Sequence, residues 1–142
     1  MDDQNLQDLW DALLSRQEGA RGLVRHMQRG KPCYYLPDMD FGPRDSVFVP
    51  FFGVPAATIT GLARLARLAG ARVVPVVTTM EPGGRYLTRI HPPWEDFPTG
   101  DDAVDARRMN AFIEARVLEA PEQYHWLHKR FKTRPPGEAR FY

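Results

Sequence analysis

Asp38 and Asp40 stand two residues apart in Leu36-Pro37-Asp38-Met39-Asp40-Phe41-Gly42. Paired carboxylates divide acid and base duties when their surroundings push their pKa values apart. Asp is equally a turn former, bonding backbone two residues on. The residues alone favour the turn, and a site lining remains the alternative. His91-Pro92-Pro93-Trp94-Glu95-Asp96 places a histidine five residues before an aspartate, a spacing at which imidazole and carboxylate can act as a general base and its orienting group. Two prolines directly after His91 favour an extended backbone. His91 is therefore expected to be a strand-exit residue beside an acidic loop and not one half of a dyad. His125 and His128 stand at i, i+3 with no third ligand beside them, and catalytic zinc needs three protein ligands, so no metal is expected. The single cysteine, Cys33, excludes an internal disulfide or a cysteine-built zinc site. It lies in an apolar run, as a buried inert thiol would.

The elements that must position these groups follow from the pattern. Leu6, Leu9, Trp10, Leu13 and Leu14 form one apolar stripe, which predicts a helix over residues 3–16. A second helical piece carries Leu23, Val24 and Met27 and stops at Gly30 and Pro32. Cys33–Leu36 reads as a short strand buried on both faces. Residues 38–57 read as a long functional loop in which Val47-Phe48-Val49 can pair briefly. Thr58 is the expected cap of a helix that buries Ile59, Leu62, Leu65, Ala66 and Leu68, turns Arg64 and Arg67 outward, and ends at Gly70. Val73–Thr79 and Tyr86–Ile90 flank Glu81-Pro82-Gly83-Gly84 as a hairpin. Thr99, Asp101 or Asp102 caps a long helix with Met109, Phe112, Ile113 and Val117 on one face. Pro121 opens a last short helix through His128. A β-α-β crossover between the strands at 33 and 73 implies an α/β layered fold with a parallel pair and a hairpin edge.

The 142 residues suffice for one domain, and 43% of them are hydrophobic. A net charge of +1 gives no bulk attraction for nucleic acid, and no nucleic-acid partner is expected. No run of 18 apolar residues appears, nor a basic-then-apolar leader.

Two long blocks, Leu36-Pro37-Asp38-Met39-Asp40-Phe41-Gly42 and Val49-Pro50-Phe51-Phe52-Gly53-Val54-Pro55-Ala56-Ala57-Thr58, are followed by two more near the end. These are Pro121-Glu122-Gln123-Tyr124-His125-Trp126-Leu127-His128 and Arg130-Phe131-Lys132-Thr133-Arg134-Pro135. In this order they resemble the lauroyl/myristoyl acyltransferase family of lipid A biosynthesis in Gram-negative bacteria. The resemblance covers residues 23–142 as a C-terminal part of the family's domain, and leaves 1–22 as an N-terminal helix without a match. It implies a partial glycerolipid-acyltransferase-like fold, a short mixed sheet with flanking helices, in which Val74-Pro75 resembles a later apolar-proline block. It implies acyl transfer from acyl carrier protein to a hydroxyl of a lipid A precursor, at the cytoplasmic face of the inner membrane and without a cofactor. The family's catalytic His-x4-Asp/Glu motif and its membrane anchor lie upstream of the matched blocks. The resemblance therefore implies a truncated chain that is inactive alone, contains no catalytic residue of its own, and exposes an apolar sheet edge.

Under this resemblance Asp38 and Asp40 become the substrate-side wall of the site. Phe51 and Phe52, with Phe48, line an acyl-chain channel or else belong to the core. The basic tail of His125, His128, Lys129, Arg130, Lys132, Arg134 and Arg140 is a solvated tail or a patch for phosphates, anionic lipid or the acidic carrier protein. In the patch reading His128, Lys129, Arg130 and Lys132 bind substrate. A non-catalytic module that binds anionic lipid or carrier protein through this tail is the alternative function.

Overall fold

The computed structural model describes residues 19–142. The helix expected over residues 3–16 lies outside the described residues. The order of elements is α1 (Gly19–Gln28), β1 (Ser46–Phe51), β2 (Val54–Ile59), α2 (Gly61–Ala69), β3 (Val76–Met80), β4 (Tyr86–Ile90) and α3 (Asp102–Glu119). Two short 3-10 turns follow, Pro121–Gln123 and Trp126–His128, in place of the expected last helix.

The stretch expected to be a long loop is largely a hairpin. β1 and β2 pair antiparallel from Ser46 opposite Ile59 to Phe51 opposite Val54. The turn is Phe52-Gly53, and both residues have positive φ, 49° and 78°, as a two-residue hairpin turn of the primed type requires. A phenylalanine in the left-handed region is strained. Its N–H is held at 2.9 Å by a carboxylate oxygen of Glu114 on α3, which fixes the turn against the helix. Pro50 and Pro55 stand opposite each other. Because Phe51 and Val54 close the turn, the proline pair falls at a position where neither nitrogen is needed for the ladder.

Thr58 lies inside β2 and is fully buried, so it caps nothing. α2 starts after Thr60, whose hydroxyl bonds Asp45 instead of the helix, and ends at Gly70 in the left-handed conformation. A Cβ at Gly61 would lie 2.5 Å from the Tyr35 hydroxyl oxygen and would displace that phenol. This contact docks the Cys33–Asp38 segment on the start of α2.

β3 and β4 form the expected hairpin, Val76 opposite Ile90 through Met80 opposite Tyr86. Bonds from His91 N to Pro75 O and from Trp94 N to Val73 O continue the pairing irregularly. Cys33–Leu36 is not a strand. It has no ladder partner among the described residues, and Tyr34 and Leu36 are 81% and 60% exposed. The parallel pair and the β-α-β crossover are therefore absent among the described residues, where both two-stranded sheets are antiparallel. The fold there combines α and β elements with α3 packed on β1 and α1 on α2. The core gathers Val49, Phe51, Ala56, Ala57, Ala63, Ala66, Ala106, Met109 and Val117.

Asp101 is the cap of α3. Its carboxylate accepts from Ala103 N at 2.8 Å and Val104 N at 3.1 Å. Asp101→Ala should lower stability by about 1 kcal/mol, measured as a lower urea midpoint with an unchanged denaturant slope.

Candidate functional site

Arg130 belongs to the tail in sequence and to the core in space, with 3% of its surface exposed. One Nη donates to Ala57 O at 2.7 Å. The other donates to Thr58 Oγ1 at 2.9 Å and Asn110 Oδ1 at 3.1 Å. Asn110 in turn donates to Thr58 Oγ1 and to Pro50 O, both at 3.0 Å. The guanidinium lies 5.2 Å from the centre of the Phe51 ring, a cation–π distance. Burial lowers the Arg130 pKa, and Tyr124, Asp40 and Asp38 oppose the shift. Arg130 is thus no part of a solvent-facing phosphate patch; both its Nη atoms bond inside the protein. Arg130→Lys removes the forked geometry and leaves carbonyl and hydroxyl partners unmet. We expect a loss of about 3 kcal/mol in chemical denaturation, with native-like circular dichroism below the transition.

The acidic turn reaches the same tail. Asp40 is 2% exposed. Its Oδ1 accepts from Gly42 N at 2.9 Å, the bond to backbone two residues on, and from Thr133 Oγ1 at 2.9 Å. Oδ2 accepts from Thr133 N at 2.8 Å. Asp40 therefore clamps the tail onto the turn. Asp38 is more open, and its Oδ2 is 3.9 Å from His128 Nδ1, beyond a hydrogen bond.

Beside this turn lies a half-open cavity of about 450 Å³, bordered by Cys33–Asp38, β3, α2 and α3. Its walls are mostly apolar, with Leu62, Leu65, Val77, Phe112, Ile113 and Val117 among them, and Asp38, Arg116 and Tyr124 supply polar groups. This is the volume and character of a ligand pocket. Phe51 and Phe52 do not line it. Phe51 is fully buried against Tyr124 and Phe131, which is the core alternative, and Phe52 serves the hairpin turn. His91 packs edge-on against Phe112 at 5.1 Å, and its buried Nε2 has no partner among the described residues. It bonds neither Glu95 nor Asp96; the backbone oxygens of both accept from Arg108 instead.

Lys129 and Lys132 are exposed, and His128 is half-buried. Arg134 has a side chain only 7% exposed, donating to Pro55 O and pairing with Glu138. Of the sequence cluster only His125, Lys129, Lys132 and Arg140 stand open to solvent. Asn110 and Tyr124 were not singled out from the sequence. An asparagine between Met109 and Ile113 on an apolar helix face was the available sign, since a buried amide must find partners.

The Tyr124 hydroxyl is buried without a partner among the described residues. Burial first, then the nearby Asp38 carboxylate, push it up from 10.0 to about 12, against a smaller opposing effect of Arg130. A raised acid keeps its proton longer in the folded state. The stabilising contribution is therefore complete below pH 10.0 and is lost as pH rises to about 12. Titration by tyrosinate absorbance should show a late step near pH 12, and Tyr124→Phe should remove it.

The sequence profile described as bacterial lipid A biosynthesis acyltransferase matches residues 7–133. The lipid A biosynthesis lauroyltransferase of Escherichia coli (strain K12) is 46% identical over 128 residues, covering 89% of this chain and 42% of that protein. The lipid A biosynthesis myristoyltransferase of the same strain is 40% identical over 131 residues, covering 92% and 41%. A lipid A biosynthesis acyltransferase of Haemophilus influenzae is 42% identical over 125 residues, covering 87% and 39%. The chain thus spans about two fifths of the length of these relatives. With most of its length matched by the profile, the chain belongs to the bacterial lipid A biosynthesis acyltransferase family.

Proposed function

We propose that this chain forms part of an acyltransferase that moves an acyl group from the thioester of acyl carrier protein to a hydroxyl of a lipid A precursor. The observation that carries the reading is the family match over residues 7–133. The apolar cavity beside Asp38 agrees with it, because an acyl chain needs an apolar wall with polar groups at one end. In this reading the described elements are part of a glycerolipid-acyltransferase-like layered fold. Residues 23–142 are in this reading a C-terminal part of the domain. The location is the cytoplasmic face of the inner membrane, held peripherally. No helix among the described residues is long and apolar enough to cross a membrane.

The chemistry sets a requirement. As the hydroxyl oxygen bonds to the thioester carbonyl carbon, its proton must pass to a base, and the sulfur then leaves with the bonding pair. The sequence holds four histidines, and none is hydrogen-bonded to a carboxylate among the described residues. The chain in this reading supplies the cavity and the acidic turn and not the base. Purified chain given acyl carrier protein thioester and a lipid A precursor should therefore show no transfer. Turnover that disappears in His91→Ala would overturn this and make His91 the base.

A second reading, binding of an anionic surface or of acidic carrier protein, is favoured by the exposed tail. Lys129, Lys132 and Arg140 stand open beside Trp126 and Leu127, which are 54% and 81% exposed. Three cations at about 1 kcal/mol each amount to roughly a hundredfold in affinity. Sedimentation with phosphatidylglycerol vesicles should show salt-sensitive binding that Lys129→Ala, Lys132→Ala and Arg140→Ala together weaken by about that factor. Binding unchanged by salt and by the triple variant would refute it.

A further inference from the structure

The stretches 19–37 and 61–80 hold seven lysines and arginines and no carboxylate, in a chain whose net charge is +1. The fold brings the two stretches together. α1 packs on α2, and the Gln28 amide donates to Leu68 O at 3.1 Å. Two of the seven cations have partners. Arg64 pairs with Asp45 and Asp102, and Arg67 reaches Asp102 at 3.5 Å. Arg21, Arg25, Arg29, Lys31 and Arg72 are exposed and pair with no carboxylate among the described residues. Arg21, Arg25 and Arg29 stand four apart, so they share one face of α1. Like charges at this spacing repel and weaken a helix. Nothing among the described residues offsets that repulsion, and an anion from outside would.

We propose that α1 and the end of α2 form the docking face for the acyl carrier protein, whose carboxylates meet Arg21, Arg25, Arg29 and Arg72. The proposal rests on the acyl-transfer reading, which supplies an acidic protein as acyl donor, and adds where that protein binds. The make-up of the face favours a protein over a lipid surface. Leu23, Val24 and Met27 of α1 are half-buried, which leaves no apolar stripe to enter a bilayer, as an interfacial helix needs. Leu68, at the seam with α1, is 64% exposed. An apolar centre within a polar rim is the anatomy of a protein interface. The tail has the other make-up, with exposed Trp126 and Leu127 beside its cations, which suits a bilayer. The tail and α1 thus divide two anionic partners between them. The position of the face agrees. Met27 and Arg72 border the apolar cavity, so a carrier seated on α1 brings its acyl group to the cavity's rim.

Calorimetric titration of the 142-residue chain with lauroyl acyl carrier protein tests it, with phosphatidylglycerol vesicles as the second probe. Carrier binding should weaken with added salt. Arg21→Gln, Arg25→Gln and Arg29→Gln together should lower carrier affinity at least about tenfold and change vesicle binding less than about threefold. The tail variant Lys129→Ala, Lys132→Ala, Arg140→Ala removes the same number of charges and should do the reverse, weakening vesicles and sparing the carrier. Arg72→Gln lies outside the helix and should by itself cost about threefold in carrier affinity. It decides the matter if the α1 variant shows a lowered urea midpoint. Carrier affinity unmoved by these changes would overturn the proposal, whether the carrier sits elsewhere or the chain's own carboxylates hold the stripe. So would an equal loss of carrier in the tail variant, or an equal loss of vesicles in the α1 variant. A chain that binds no carrier overturns it too. The acyl-transfer reading falls as well only if the whole E. coli lauroyltransferase also binds none.

Discussion

A guanidinium buried without a carboxylate in hydrogen-bonding reach carries a desolvation cost of several kcal/mol. Arg130 meets that cost with a carbonyl, a hydroxyl and an amide from β2 and α3, and with the face of Phe51. The rest of the described structure leans on this set of bonds. It closes the β2 edge, fixes the orientation of Asn110, and so seats α3 on β1. Asp38 and Asp40 act on it at longer range, as the negative charges that favour a charged Arg130. The acidic turn thus has an electrostatic duty inside the fold, apart from any duty toward a substrate. Asp40 adds a mechanical one by holding Thr133.

The two hairpins meet one constraint at different points. An edge strand presents unpaired polar groups and must be covered, charged or paired. Tail arginines and α3 reach β1–β2 at three carbonyls, those of Pro50, Pro55 and Ala57. On β3 the Gln123 amide imitates one residue of a neighbouring strand and then stops. Cavity and open edge are therefore two views of one surface, apolar toward α2 and α3 and backbone-polar toward β3.

Much of this was legible in residues. The helix from Asp102 to Glu119, the end of α2 at Gly70 and the 76–90 hairpin follow from period, capping and turn chemistry, and the helix cap was narrowed to Thr99, Asp101 or Asp102, of which Asp101 serves. The β1–β2 hairpin was hidden because Pro50 and Pro55 argue against strand. Only register shows that both fall where no N–H is required. The Phe52-Gly53 turn lacks the usual Asn or Asp, and its support from Glu114 lies 62 residues away. Cys33–Leu36 has the composition of a buried strand, but a strand exists only through its neighbour, and composition does not say where the neighbour is. For the site, the acidic turn and basic tail were visible as charge. That Arg130 and Arg134 turn inward while Lys129 and Lys132 stay out was not, because all four look alike in a basic run.

The span between Arg130 and its acceptor Ala57 is 73 residues, and that between Thr133 and Asp40 is 93. Loop closure on this scale costs chain entropy before any contact rewards it. A chain emerging from the ribosome presents Asp40 and the β1–β2 hairpin long before it presents their partners. Until Arg130 arrives, Ala57 O and Asn110 face water or each other's neighbours. The contacts of Arg130 and Thr133 thus form only after the hairpin and the turn that they hold have been made.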